Sequence, residues 1–156
     1  MIRPLSRGDR GPIRDLVAAT GVFTDEEVEI AVELVDAALD VPGQTDYIIR
    51  VAEEGGKVAG YYCVGPTPAT QGTFDLYWVA VDPSLHGKGI GHALDDDACD
   101  LVRGMSGRLI IAETSSLPKY LLTREFYARR GYSQLARIAD YYRPGDDLVV
   151  YGKYLT

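Results

Sequence analysis

Three glycines alternate with other residues in the segment HGKGIG, from His86 to Gly91, directly before a predicted helix. The first backbone amides of a helix have no partner within the helix, and the helix dipole adds positive potential there, so such a position binds anions. Glycine permits positive φ angles and lets a phosphate approach the backbone closely. Lys88 adds a positive charge within the same loop. The segment therefore predicts a binding site for a pyrophosphate.

Two common phosphate-binding motifs do not fit this segment. A Walker A loop would have glycine at position 82, where the chain has Asp82. A dinucleotide fingerprint that starts at Gly87 would need glycine or alanine at position 92, which is His92. A Rossmann-type nucleotide binder is therefore a distant alternative, and a lack of NAD binding would exclude it.

The other reactive side chains predict neither a metal site nor a cysteine nucleophile. Cys63 and Cys99 form no CxxC pair, and His86 and His92 complete no metal-ligand spacing. Cys63 lies within a predicted strand without a base nearby, so we expect both cysteines to be small buried hydrophobic residues. The consecutive acids 95–97 diverge around a helix and cannot chelate one ion together, so we expect a solvated surface there.

The composition restricts the partners and the location. The chain has 156 residues, 46% hydrophobic and 25% charged, which is typical of one soluble globular domain, expected to span residues 1–156. A formal charge of −7 argues against nucleic acid as a partner, because nucleic acid requires a basic face. The first residues contain no apolar signal core, and no apolar run is long enough to span a membrane. We therefore expect a cytoplasmic protein with reduced thiols and no membrane partner.

Hydrophobic periodicity and turn residues predict strands and helices in the order β-α-α-β-β-β-α-β-α-β-β. Thr24 and Glu27 match a capping box at the start of the second helix, and Gly55-Gly56 joins two β-branched runs into a hairpin. One helix separates the runs TFDLYWVAV and RLIIAETSS, which implies a right-handed crossover and parallel pairing. The predicted fold class is α/β, a mixed sheet with helices on its faces. The predicted helices span residues 8–20, 24–39, 89–104 and 119–130.

The loop and its surroundings resemble those of the GNAT superfamily of acyl-CoA N-acyltransferases. The segment LYWVAVDPSLHGKGIGHAL is similar to that family's strand, proline turn, Gln/Arg-x-x-Gly-x-Gly/Ala loop and helix, with His86 at the first loop position. The segment from Tyr127 to Tyr132 resembles the family's Tyr-x-x-x-Gly-Phe/Tyr, although Tyr120 and Thr123 replace the usual Asn and Ala before it. The resemblance implies a mixed, mostly antiparallel seven-stranded sheet flanked by helices, with acetyl-CoA as cosubstrate and no metal.

The resemblance also implies roles for particular residues in the aminolysis of a thioester. Main-chain groups of Val79, Ala80 and Val81 would pair with the pantetheine arm and donate hydrogen bonds to the thioester carbonyl. Tyr127 would protonate the departing thiolate, since the pKa of a phenol, about 10, lies close to that of a thiol, about 8.5. The pyrophosphate would lie on His86, Gly87, Lys88, Gly89, Ile90 and Gly91.

Two acids are candidates for the general base that takes a proton from the amine. Asp75 lies six residues before Val81, where the histone-modifying branch of the family has a strand glutamate. Glu113 lies on the following strand, where the ribosomal-protein alanine acetyltransferases have a glutamate. Either acid could act through water, and the hydroxyl groups of AETSS at a strand end favour Glu113.

The resemblance implies an N-acetyltransferase that moves an acetyl group from acetyl-CoA to a primary amine by direct transfer in a ternary complex. The segment ADYYRPGDDLVVYGKYL looks like the C-terminal hairpin of the ribosomal-protein alanine N-acetyltransferases, which favours a peptide N-terminus as acceptor. Many small-molecule acetyltransferases end similarly, so a small-molecule amine stays open as the acceptor. A non-catalytic acyl-CoA-binding module stays open as the alternative, because His86, Tyr120 and Thr123 depart from the family pattern. The oligomeric state also stays open, a homodimer included.

Overall fold

The computed structural model describes residues 1–155 and confirms the predicted order of seven strands and four α-helices. All seven strands join in one mixed sheet in the order β1-β2-β3-β4-β5-β7-β6, and neighbouring strands are antiparallel except for β4 and β5. The strands are β1 (Ile2–Pro4), β2 (Ile48–Glu54), β3 (Lys57–Pro66), β4 (Thr73–Val81), β5 (Leu109–Ser115), β6 (Ser133–Arg143) and β7 (Asp146–Tyr154). The helices are α1 (Arg10–Ala19), α2 (Asp25–Asp40), α3 (Ile90–Gly104) and α4 (Leu121–Arg129).

The parallel pair β4 and β5 stays together over only part of its length. The two strands pair from Thr73 to Asp75, opposite Leu109 to Ile111, although β4 continues to Val81 and β5 to Ser115. A bulge at Tyr77 interrupts the register between β4 and β3, and such a bulge bends its strand. The sheet therefore opens into a cleft between the carboxyl ends of β4 and β5.

Strand β3 is buried on both faces and divides the core into two layers. Successive strand residues point to opposite faces of a sheet. Tyr62 and Val64 pack with α3, whereas Tyr61 and Cys63 pack with α1 and α2. Helices thus cover both faces of the sheet, as the sequence predicts. The first layer also contains Leu94, Ala98, Val102, Ile110 and Tyr127, and the second contains Ile13, Val17, Val28, Val35 and Val51.

Local capping explains where the helices begin. At α2 the side chain of Thr24 accepts a hydrogen bond from the Glu27 amide, and the Glu27 side chain accepts one from the Thr24 amide. This reciprocal pair is the predicted capping box. Helix α4 begins at Leu121 after a 3-10 turn over Pro118–Tyr120, slightly later than predicted. Within residues 1–155, no helix is both long and apolar enough to cross a membrane.

Candidate active site

The loop from His86 to Gly91 presents unpaired backbone amides at the start of α3. Gly87 and Gly89 have φ angles of 82° and 80°, in the left-handed region that glycine adopts without strain. Among the described residues, the amides of residues 87–92 donate no hydrogen bond, because the first bond of α3 runs from the Ala93 amide to the Gly89 carbonyl. A Cβ atom added at Gly87 or Gly89 would meet no other atom within 4 Å, so there is space beside these amides for an anion.

Neighbouring contacts fix the position of this loop. One carboxylate oxygen of Asp82 accepts hydrogen bonds from the amide and the hydroxyl of Ser84, at 2.9 and 2.8 Å. The ring Nε2 of His86 lies 3.3 Å from the carbonyl oxygen of Val81, so His86 ties the loop to the end of β4. A Cβ atom on Gly91 would lie 3.4 Å from the ring of Phe126, in ordinary van der Waals contact, so the start of α3 lies against α4.

A cavity of about 540 Å³ extends from this loop along β4 to α4. Its wall includes seven of the nine residues that the sequence predicts to bind the cosubstrate, namely Val79, Val81, His86, Gly87, Gly89, Ile90 and Gly91. The other two lie elsewhere: the Ala80 side chain is buried in the second core layer, and Lys88 is exposed beside the cavity. The prediction for Ala80 concerns its main chain, so its buried side chain does not conflict with it.

A second cavity, of about 190 Å³, lies on the other side of α4. It is bounded by the start of α2, the ends of β4 and β5, the start of α4 and the β6–β7 hairpin. Its aromatic wall consists of Phe23, Tyr77, Trp78, Tyr120 and Tyr142, and its charged wall of Glu27, Glu113, Lys119, Arg143 and Asp146.

The two cavities share Val79, Thr123 and Tyr127. Val79 lies on the part of β4 that has left β5, so the opening between the cavities is where the sheet separates. A ligand in the first cavity and a ligand in the second would therefore meet beside Tyr127. This arrangement suits the transfer of a group from one ligand to the other.

The Tyr127 side chain is buried among aromatic rings, with centroids at 5.2 Å from Tyr132 and 5.7 Å from Tyr151. Within residues 1–155 its hydroxyl makes no hydrogen bond, so this donor is free for a ligand. Burial, and to a smaller extent the charge of Asp95, raises the pKa of the Tyr127 phenol above its ordinary value. The phenol therefore keeps its proton at neutral pH and has one to donate, and its raised pKa makes it a weaker acid than a free phenol.

The two candidate bases have different surroundings. Glu113 is exposed on β5 and lines the second cavity, as Tyr127 does. Asp75 lies where β4 still pairs with β5, and its carboxylate accepts a hydrogen bond of 2.8 Å from the Thr67 hydroxyl. Asp75 lines neither cavity. The structure thus brings Glu113 and Tyr127 to the same cavity and does not bring Asp75 there, because six residues before Val81 the strand has not yet diverged.

The expectation of a solvated acidic surface at residues 95–97 is wrong for Asp95. Its side chain is buried, and it accepts hydrogen bonds from Tyr132 Oη at 2.8 Å, Lys153 Nζ at 2.9 Å and Arg130 Nε at 3.0 Å. These bonds join α3 to the end of α4 and to β7, directly behind Tyr127. A carboxylate this deep in the protein is stable only with such partners.

The other two acids of this run differ from Asp95. Asp96 is exposed, as expected, and pairs with Arg130. Asp97 is partly buried, and one of its oxygens accepts hydrogen bonds from Arg50 Nε at 2.7 Å and Tyr62 Oη at 2.6 Å. The run therefore anchors α3 to the sheet on two sides. Among the residues with described positions, no cluster of three or more His, Cys, Asp or Glu side chains could hold a metal ion.

Apart from Val79, Glu113 and Tyr127, the residues that line the second cavity were not predicted from the sequence as site residues. The Tyr120 hydroxyl donates to the carbonyl of Val22 at 3.2 Å and lies 3.4 Å from Glu27 Oε2, while Phe23 and Trp78 contact each other at a centroid distance of 4.5 Å. These contacts hold the α1–α2 connection against β4 and the start of α4. These contacts join residues far apart in the chain. Among these contact residues, only Glu27 was identified from neighbouring residues, through the capping box with Thr24.

Both cysteines are free and buried, as predicted. Burial raises the pKa of the Cys63 thiol to about 12, so the reactive thiolate is scarce at neutral pH. Cys63 packs in the second core layer and lines neither cavity. The structure therefore offers no role for Cys63 as a nucleophile.

Comparison with known proteins identifies a family. A family model described as an acetyltransferase (GNAT) domain matches residues 45–134, more than half of the chain. The crystal structure of a candidate acetyltransferase of the GNAT family from Desulfovibrio desulfuricans is 43% identical, with a TM-score of 0.94, and the match covers 100% of this chain and 99% of that one. The predicted fold is thereby confirmed. A search among curated proteins finds no match.

Two other solved structures share the fold at 16% identity. The ribosomal-protein-S18-alanine N-acetyltransferase from Escherichia coli has a TM-score of 0.78, covering 100% of this chain and 94% of that one. An aminoglycoside 6'-N-acetyltransferase, solved with coenzyme A, has a TM-score of 0.77, covering 100% of this chain and 97% of that one. At this level of identity the likeness concerns the fold alone.

The buried cluster around Asp95 predicts a large and specific loss of stability. Replacing Asp95→Asn leaves Lys153 without a counter-charge and Arg130 with only the exposed Asp96, so the free energy of unfolding should fall by roughly 3 kcal/mol, the low end for a broken buried ion pair. The matched control is Asp100→Asn on the same helix, whose exposed pair with Arg103 should contribute less than about 0.5 kcal/mol. Urea unfolding measures both, and equal losses would show that the Asp95 cluster is not structural.

Proposed function

The chain belongs to the GNAT acetyltransferase family and is an acyltransferase, and on that premise we propose that it moves an acetyl group from acetyl-CoA to a primary amine. The observation that carries this proposal is the meeting of two cavities at Val79, Thr123 and Tyr127. One cavity starts at an anion-binding loop, and the other contains carboxylates suited to an amine. Because both can be occupied together, the transfer is direct, within a ternary complex.

Acetyl-CoA occupies the first cavity. Its pyrophosphate accepts hydrogen bonds from the amides of the loop His86–Gly91, and Lys88 adds a positive charge. The pantetheine arm lies along the edge of β4 that has no strand partner beyond Asp75, with the thioester between Val79–Val81 and Tyr127. The aminoglycoside acetyltransferase of the same fold was solved with coenzyme A, which supports this choice of cosubstrate.

The acceptor amine enters through the second cavity, either as a small molecule or as a peptide N-terminus. An ammonium must lose a proton before it can attack, and Glu113 takes that proton through a water molecule. The nitrogen attacks the thioester carbon, and main-chain amides at the end of β4 stabilise the negative charge on the oxygen. As the carbon–sulfur bond breaks, the Tyr127 phenol gives its proton to the departing thiolate.

We also propose that residues 1–156 form a single catalytic domain that works in the cytoplasm. Both cavities are built from one sheet and its helices, which supports the single domain. Cys63 and Cys99 are free thiols in the structure, which suits a reducing compartment.

The anion-binding role of the loop is tested by Gly89→Glu. A carboxylate there repels the pyrophosphate and occupies the space in front of the amides, so the affinity for acetyl-CoA should fall at least about 100-fold. The matched control is Gly56→Glu in the β2–β3 turn, where φ is 78° and the space is also open, so strain and charge are the same. Calorimetry should show unchanged affinity for the control. Equal losses in both variants, or no binding by the parent, would contradict the assignment.

The role of Tyr127 is tested by Tyr127→Phe. Its hydroxyl has no partner among the described residues, so removal should not alter folding, yet kcat should fall about 100-fold or more with the affinity for acetyl-CoA within about twofold. Because the pKa of Tyr127 is raised, the parent's rate should not decline below about pH 10 through loss of this proton. Tyr154→Phe, at an exposed tyrosine, is the control. A variant with full kcat would show that Tyr127 is not the acid.

The choice between the two acids is tested by Glu113→Gln and Asp75→Asn. At pH 7 we expect Glu113→Gln to lower kcat/KM about 100-fold and Asp75→Asn to change it less than about threefold. The deficit of Glu113→Gln should shrink as the pH rises, because a larger fraction of the amine is then already neutral. Rates of CoA release across pH 6–10 give these values. The opposite ranking would assign the base to Asp75.

A further inference from the structure

The wall of the second cavity carries nearly equal numbers of negative and positive side chains. Glu27, Glu113 and Asp146 contribute carboxylates, while Lys119 and Arg143 contribute cations. A polycationic acceptor would be repelled by these two cations, so a wall of this kind does not suit a polyamine. The balance instead indicates an acceptor that carries both signs of charge.

Most of these charged groups already have partners in the protein. Arg143 Nη1 donates to Asp146 Oδ2 at 2.9 Å, and the other oxygen of Asp146 accepts a hydrogen bond from the Ser115 hydroxyl. Glu27 belongs to the capping box of α2 and also lies beside the Tyr120 hydroxyl. Arg143 and Asp146 therefore neutralise each other, while the carboxylate of Glu27 is engaged by hydrogen bonds.

Glu113 and Lys119 differ from the others because neither forms an ion pair or a side-chain hydrogen bond in the part of the chain that the structure describes. The Lys119 ammonium lies 5.4 Å from the centroid of the Tyr120 ring, which is also part of the cavity wall. An ammonium on a flexible stem can turn from this ring toward a carboxylate in the cavity. The cavity therefore offers one uncommitted carboxylate and one uncommitted ammonium.

The rest of the wall is aromatic. Phe23 packs against Trp78 at 4.5 Å and lies 6.2 Å from Tyr120, and Tyr142 closes the side next to the hairpin. Aromatic rings bind apolar groups, and a few polar groups among them fix the orientation of the ligand. A cavity of about 190 Å³ matches a small molecule.

From the two uncommitted charges and the aromatic wall, we propose that the acceptor is a free amino acid with an apolar side chain. Its amine faces Glu113 and its carboxylate faces Lys119. This inference rests on the proposed acetyl transfer to an amine and adds the class of acceptor. A carbon–nitrogen bond forms as the thioester carbon–sulfur bond breaks, the amine loses a proton and the thiolate gains one. The products are an N-acetylamino acid and free CoA.

The test measures CoA release from acetyl-CoA with matched acceptor pairs. Alanine, leucine, methionine, phenylalanine and 6-aminohexanoate are each compared with the corresponding primary amide, beside spermidine and an alanine-initiated tetrapeptide. We expect kcat/KM for the best amino acid to exceed that for its amide at least tenfold. The amine of an α-amino amide is less basic than that of the amino acid, so a larger fraction of it is neutral and able to attack. Without recognition of the carboxylate the amide would therefore react faster, which makes a preference for the amino acid a stringent test.

Variants at Lys119 assign the preference to one residue. Lys119→Met should bring kcat/KM for the amino acid to within about twofold of kcat/KM for its amide, mainly by raising KM for the amino acid. Lys119→Arg should keep most of the preference, since it keeps the positive charge. Lys57→Met, at an exposed lysine of the β2–β3 hairpin, should leave the preference unchanged.

The outcomes separate this inference from the proposed function. Turnover of amides, spermidine or the tetrapeptide as fast as that of amino acids would overturn the inference and leave acetyl transfer to an amine standing. An unchanged preference for the amino acid over its amide in Lys119→Met would also overturn it. No CoA release with any acceptor in the panel would contradict both proposals.

Discussion

The separation of β4 from β5 after Asp75 is the constraint on which both cavities depend. A parallel ladder continued to Val81 and Ser115 would close the cleft between these strands. The bulge at Tyr77 bends β4 instead, which leaves one edge of the strand without a strand partner. Unpaired backbone groups in a cleft need hydrogen-bonding partners, and an extended ligand can supply them. Tyr127 on α4 lines both cavities that this divergence opens.

Local electrostatics at the loop oppose the overall charge of the chain. The protein carries a formal charge of −7, which would repel a pyrophosphate at long range. The amides of residues 87–92 and the exposed Lys88 create a positive site over a short distance, where the anion would lie. Behind the site, Asp95 pairs with Arg130 and Lys153, so the charges that hold α3 to α4 are neutralised within the protein.

The features that were predictable from the sequence are those encoded by neighbouring residues. The glycine spacing predicted the loop, the capping box predicted the start of α2, and alternation predicted the strands. The buried role of Asp95 was missed, because its partners lie 35 to 58 residues away and an acidic run on a helix looks solvated. The aromatic wall of the second cavity was missed for the same reason. The sequence favoured Glu113 over Asp75 through the hydroxyl groups of AETSS, and the end of the strand pairing gives the physical reason why Asp75 lies outside the cavities.

The most direct test of this arrangement is an NMR titration of the ¹⁵N-labelled protein with coenzyme A, with resonances assigned along the chain. We expect the amide protons of residues 87–92 to shift downfield as they acquire an anionic acceptor, and the amides of Val79–Val81 to shift as the pantetheine arm pairs with β4. The β2–β3 turn at Gly55-Gly56 should not change. Saturable shifts confined to other surfaces, or none at all, would contradict binding at the loop and in the cleft.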